Sequence, residues 1–275
     1  MEHDREPTSS TVTPEPEVIE EREIPEEVKP KEITARDAAN WAKRVSRLTV
    51  SDAPAEAINL NVTGRRVMSP IQGFGKMWQK TYRVSLAGTQ ISPRDVITTW
   101  KENFQSFWPD RNLFYRPLTG IAPGEVALLN LSMPGRLKLS TGVFVLYADE
   151  ESFTLMTPQG HMFAGWITFS AYEKDGTTIA QAHVLMRAND PLYETGLVFG
   201  GHRREDGFWQ QTLRSLAAHL GSRDADVETE VVCVDKKRQW SKASNVWHNA
   251  AIRSGVYAAG APLRAVARPF KRPKA

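Results

Sequence analysis

The 275-residue chain has a single cysteine, Cys233, so no disulfide can form within it, as suits a reducing compartment. No apolar run approaches the roughly 20 residues that a membrane span needs. The opening MEHDREPTSS has neither the basic patch nor the apolar run of a secretory signal. A cytoplasmic location is the expectation. Nucleotide and metal signatures are missing as well. There is no P-loop, no His-Glu-x-x-His, no Gly-x-Ser-x-Gly and no paired-cysteine site. GFGKMW (73–78) lacks the third glycine of a dinucleotide fingerprint and leads into a strand pattern instead of a helix. Neither a cofactor nor a metal is expected.

Charge of one sign is missing at one end of the chain. Residues 236–275 hold ten bases and no acid. Residues 1–34 hold eleven acids and four bases and no aromatic residue. The stretch between them carries 21 charges of each sign, so the net +3 is set by the two ends. The middle has no electrostatic preference for nucleic acid, which is not expected as a partner. TPEPEVIEEREIPEEVKPKE (13–32) cannot bury enough apolar surface to offset chain entropy, and 1–34 reads as a disordered acidic tail.

Order is expected from Thr34. Thr34 and Asp37 resemble a capping box, and Ala38, Trp41, Ala42, Val45 and Leu48 follow at helical spacing, which predicts a short amphipathic helix in a lead segment, 35–70. GKMWQKTYRVSLAG (75–88) alternates. Trp78, Tyr82, Val84 and Leu86 share one face, and Gln79, Thr81, Arg83 and Ser85 the other, as in a strand with one buried side. Ser92 and Pro93 open a helix with Val96, Ile97, Trp100, Phe104, Phe107 and Trp108 on one face, and Pro109 ends it. An irregular or helical piece runs on to about 120. Strands follow at 125–132, 137–148, 151–157, 165–174 and 177–187. Short turn-rich links make them antiparallel neighbours. Residues 190–221 read as one long interrupted helix, with Trp209, Leu213, Leu216 and Leu220 in a stripe and Gly196, Gly200, Gly201 and Gly207 easing a kink. An antiparallel sheet has a face to bury, and this helix is long enough to cover it.

That order, with SPIQGFGKMWQKTYRV, MTPQGHMFAGWITFSAYEKDG and RANDPLYETG…FWQQTLRSLAAHLG, resembles the SRPBCC superfamily over about 71–221. This is the helix-grip group of START lipid-transfer domains, the major birch-pollen allergen, and polyketide cyclases and aromatases. The resemblance implies an α+β fold in which a curved antiparallel sheet wraps a long C-terminal helix around an apolar cavity. It implies a hydrophobic small molecule (lipid, sterol or polyketide-like) as ligand. A cyclase or aromatase using the same cavity is the enzymatic alternative, and an interaction protein with a filled core the third. The acidic tail, the lead segment and the basic extension 222–275 are additions to a minimal domain.

Candidate cavity residues follow from that implication. Trp78, Tyr82, Phe104, Trp108, Tyr193 and Phe199 line the pocket or else fill the core. Thr178, Ala180, Ala182, Val184 and Met186 form the small apolar face of their strand and should point inward, leaving His183 outside. In 165–174 neither face is purely polar: Trp166, Thr168 and Ser170 oppose Ile167, Phe169 and Ala171, and either set can face the cavity. His161 lies between strands. A general base there needs a partner, and the bland alternative is a turn histidine bonded to backbone. His202, Glu205 and Asp206 form a second polar group, too few for a metal and read as a solvated helix start. In the basic end, VETEVVCVD (227–235) reads as one more strand and SNVWHNAAIRSGVYAAG (244–260) as helical. With the cationic residues beyond Pro262, the segment 245–275 is a candidate for peripheral contact with an anionic membrane.

Overall fold

The computed structural model describes residues 38–50, 54, 56–133, 138–223 and 225–261. The expected disorder of 1–34 and the helical spacing beyond Pro262 fall outside these residues. The described residues form a single unit by their contacts. Its centre is one eight-stranded antiparallel sheet: β1 (Met77–Ser85), β2 (Leu113–Tyr115), β3 (Val126–Ser132), β4 (Lys138–Ala148), β5 (Ser152–Met156), β6 (Phe163–Lys174), β7 (Thr177–Ala188) and β8 (Val227–Asp235). The spatial order is β2-β3-β4-β5-β6-β7-β1-β8, so the first strand closes on the last two. Among the described residues four α-helices complete it, α1 (Pro93–Glu102), α2 (Pro191–Gly196), α3 (His202–His219) and α4 (Ala250–Ala259), with a longer 3-10 stretch at Trp240–His248. A curved sheet against a long helix is the expected helix-grip α+β architecture. Among the described residues no helix is long and apolar enough to cross a membrane.

Cross-strand register decides which side chains meet, because directly paired residues share a face. Ile167 pairs with Val184, Phe169 with Ala182 and Ala171 with Ala180. Tyr82 faces Ala182 from the other side of β7, and Val84 faces Ala180. These positions are one inner layer. α1 lies over β6 and β7, and α3 over β1, β7 and β8. The small side chains of β7 leave room for the large ones of α1: Trp100 lies 5.0 Å from Phe169, ring centre to ring centre, and is fully buried. Ser92 caps α1 by accepting from the Asp95 N–H at 3.2 Å.

The helix expected from Thr34 does not form over 41–48. β3 begins at Val126, opposite Phe144, so the far end of β4 has an open edge. Residues 40–42 satisfy it: the Ala42 N–H donates to the Leu146 carbonyl at 2.8 Å, and the Ala148 N–H donates to the Asn40 carbonyl at 3.1 Å. An extended chain beside an unpaired strand gains these bonds, and a helix would forgo them. Trp41 packs edge-on against Tyr147. Leu48 joins Val62, Leu128 and Phe144 in a second small core on the outer face of β3 and β4.

Beyond 221 the expected strand at 227–235 forms and joins the same sheet. β8 pairs with β1 along its length, and α4 packs against β4. β5 reaches only opposite Phe144–Ala148, so β4 has a second open stretch nearer its start. There the Ser140 N–H donates to Ser254 Oγ at 3.1 Å, and its carbonyl accepts from Asn61 Nδ2 at 2.8 Å. The stretch expected to be irregular up to 120 contains the short β2.

Candidate functional site

A cavity of about 780 Å³ opens between the inner face of the sheet and the α2–α3 segment. Its sheet wall is apolar: Leu129, Val143, Leu155, Ile167, Val184 and Met186. Its helix wall includes Leu197, Phe208 and Trp209. The helix wall is not continuous. Between α2 and α3 the chain kinks over Leu197–Gly201, with Phe199 at φ −87°, ψ 41° and Gly200 at φ 102°. Only glycine adopts that last value without strain. The turn leaves Phe199 84% exposed while it still borders the cavity, so Phe199 stands at the mouth.

Of the site candidates from sequence, Trp108, Met186, Tyr193, Phe199, His161 and Trp166, the last beside Gly165, border this space, as do Val184 and Ile167 from the strand faces and Glu205 from the second polar group. The others lie elsewhere. Thr168 and Ser170 belong to the outer face of β6, because Ile167 and Phe169 take the inner one. Thr168 shares a hydrogen bond with Thr154 at 2.9 Å, and its neighbour His183 bonds Thr81 at 3.0 Å. Phe104 is core: its ring centre lies 4.8 Å from that of Phe114 and 5.1 Å from that of Phe169. Trp78 packs edge-on against His202. Tyr82 is buried, and its hydroxyl donates to Asp206 Oδ1 at 2.7 Å.

His161 sits in the turn between β5 and β6. The Phe163 N–H, an obligatory donor, reaches its Nδ1 at 3.0 Å, so Nδ1 accepts and the ring proton lies on Nε2. Burial pushes its pKa down to about 4, against a small upward pull from the Phe163 carbonyl. The imidazole is neutral at physiological pH and its orientation is fixed by its own turn. Next to it, Gly160 (φ 91°) lets the chain pass the C-terminal segment: a Cβ there would lie 2.0 Å from the His248 carbonyl oxygen. The Gly160 carbonyl accepts from the Ala250 N–H at 2.9 Å. Tyr193 joins the same junction, its hydroxyl accepting from the Ala251 N–H at 3.0 Å. Asp190, the N-cap of α2, also accepts from Asn249 at 2.8 Å.

A buried ionic group that sequence reasoning missed lies against the cavity. Lys80 is fully buried on the inner face of β1, opposite Val184. Its Nζ donates to Glu205 Oε2 and to Asp206 Oδ1, each at 2.7 Å. Glu205 and Asp206 project from the first turns of α3, and Glu205 borders the cavity. Burial raises the pKa of Glu205; the Lys80 ammonium opposes that rise, and the Asp206 charge adds to it. Burial and both carboxylates also push the Tyr82 phenol well above its usual range. The solvated helix start read from sequence is therefore a buried charge cluster. The available signal was Lys80 itself, a cation in the middle of an otherwise apolar strand face. Two buried polar atoms on cavity residues have no partner among the described residues: Trp108 Nε1 and Glu205 Oε1. No group of three or more His, Cys, Asp or Glu among the described residues is arranged to hold a metal.

No protein-family model matches the chain, and no curated protein does. Among solved structures, a START superfamily protein from Mycobacterium smegmatis is similar at 17% identity and a TM-score of 0.36, over 54% of this chain and 98% of that one. The di-domain ARO/CYC StfQ from the steffimycin biosynthetic pathway is similar at 9% identity and a TM-score of 0.41, over 53% of this chain and 51% of that one. Ara h 8.0201 is similar at 11% identity and a TM-score of 0.36, over 54% and 99%.

Proposed function

We propose that this protein binds, and carries, a hydrophobic small molecule in the cavity between sheet and helix. The observation that carries the reading is the cavity itself. Its volume of about 780 Å³ falls within the range of small-molecule sites, roughly 300–1,000 Å³, and its sheet wall is apolar. A filled core would have no such space, which counts against the interaction-protein alternative. The cyclase alternative gains nothing at His161, whose Nδ1 is already held by the Phe163 N–H. Entry is through the Leu197–Gly201 turn, where Phe199 and Val198 face solvent. Native mass spectrometry tests the reading: the protein retains or takes up apolar molecules from a panel of fatty alcohols, sterols and polycyclic aromatics. Failure with every member overturns it.

Peripheral contact with an anionic membrane through 245–275 belongs to the same reading. In its described part, Trp247, Ile252 and Val256 are exposed and apolar. Co-sedimentation with phosphatidylserine vesicles checks this. Binding should weaken with salt and with deletion of 262–275, and indifference to both removes it.

A further inference from the structure

We infer that the ligand of this cavity carries a hydroxyl, which donates its hydrogen to Glu205 Oε1. The inference rests on the ligand-binding reading above. Glu205 is 8% exposed and borders the cavity. One of its carboxylate oxygens, Oε2, is held by Lys80, and the other, Oε1, has no donor among the described residues. Its neighbour Asp206 is better supplied, taking both the Lys80 ammonium and the Tyr82 hydroxyl on Oδ1. Leaving a buried carboxylate oxygen without a donor is unfavourable, and buried polar groups are almost always matched.

The ligand is the missing partner. The aliphatic part of the sheet wall, Leu129, Val143, Leu155, Ile167, Val184 and Met186, offers no donor. A hydroxyl on an otherwise apolar molecule meets both demands: the body fills the greasy space and the single donor meets Oε1. An anionic group is the wrong chemistry at this end, because it would sit beside a carboxylate in a buried site. The acid of a fatty acid would have to stay near the mouth, where the exposed Arg204 borders the cavity. Lys80 acts as a positioning residue. It holds Oε2 and so keeps Oε1 free, and does not itself touch the ligand.

The test uses two probes that differ only in the donor, 1-hydroxypyrene and 1-methoxypyrene, titrated by fluorescence against the full chain. The wild type should bind the hydroxyl compound at least about tenfold tighter, as befits a hydrogen bond to a charged group. Glu205→Gln keeps the shape and the contact to Lys80 but turns an amide donor toward the cavity. It should bind both pyrenes equally. The double variant Lys80→Met/Glu205→Leu, which replaces the ion pair with apolar side chains, should do the same and covers any misfolding of the single variant. Equal binding of the two probes by the wild type overturns the inference and leaves the cavity reading standing. A preference that survives both variants also overturns it, since the donor is then read elsewhere. Binding of neither probe overturns this inference, while the cavity reading stands or falls on the wider panel.

Discussion

Lys80→Met separates the energetics of the buried charge cluster from those of the packing around it. In the native fold Lys80 is fully buried with two carboxylate oxygens at 2.7 Å. Replacing it with a side chain of similar length preserves volume and removes the cation. Glu205 is then a buried acid with no counterion, and breaking such a pair costs about 3–5 kcal/mol. For a folded unit of this size that corresponds to a fall in Tm of about 6–20 °C. Glu205→Leu alone leaves Lys80 still paired with Asp206, whose side chain is 26% exposed and also receives the Tyr82 hydroxyl. Its loss should be smaller. In the double variant no charge is stranded at position 205, so the effects should fall short of additivity by about 2 kcal/mol or more. Urea denaturation followed by the fluorescence of the eight tryptophans measures all four corners of the cycle. Additivity within about 0.5 kcal/mol would refute the reasoning, because contacting residues in one network must couple. So would a loss of under about 1 kcal/mol for Lys80→Met.

Three further outcomes are expected. The folded pKa of His161 is depressed from 6.5 to about 4, so the unfolded chain takes up its proton first; the contribution is whole above pH 6.5 and is lost as pH falls toward 4. That gap corresponds to about 3 kcal/mol, and urea midpoints at pH 7 and pH 4.5 should show a flatter acid slope in His161→Gln. Ile167→Trp fills the cavity from the inner face of β6, and should abolish uptake of apolar probes in native mass spectrometry while far-ultraviolet circular dichroism stays unchanged. Gly160→Ala puts a Cβ into the His248 carbonyl at a positive φ, and should destabilise by more than about 1 kcal/mol, with faster hydrogen exchange at the Ala250 amide that Gly160 holds.

Much of the frame was legible because strand alternation and turn chemistry are local. The five strands from 125 to 187 and the capped start of the helix at Ser92–Pro93 fall where the pattern puts them, although that α-helix ends at Glu102 and Phe104–Phe107 form a separate 3-10 turn before Pro109. What failed depended on partners far away in sequence. Residues 40–48 carry a helical spacing, yet the open edge of β4, about a hundred residues later, draws them into an extended path. The orientation of β6 was undecidable by composition, since Trp166, Thr168 and Ser170 are no more polar than a core edge tolerates. Pairing of Phe169 with Ala182, under Trp100, settles it. Lys80 and Glu205 are 125 positions apart, and neither is unusual alone. Only their meeting makes a site, and periodicity does not see a meeting.

The placement of β1 has a consequence for how the chain is made. β1 lies between β7 and β8, which follow it by about a hundred and about a hundred and fifty residues. During synthesis it emerges first and finds neither edge partner, and its lysine finds no counterion until α3 has left the ribosome. Contacts this distant in sequence are slow to form. The first strand must therefore wait, exposed, for β7; a ribosome stalled before residue 177 holds an unpaired strand, and one stalled before residue 205 a stranded cation, and each is the kind of exposed intermediate that aggregates.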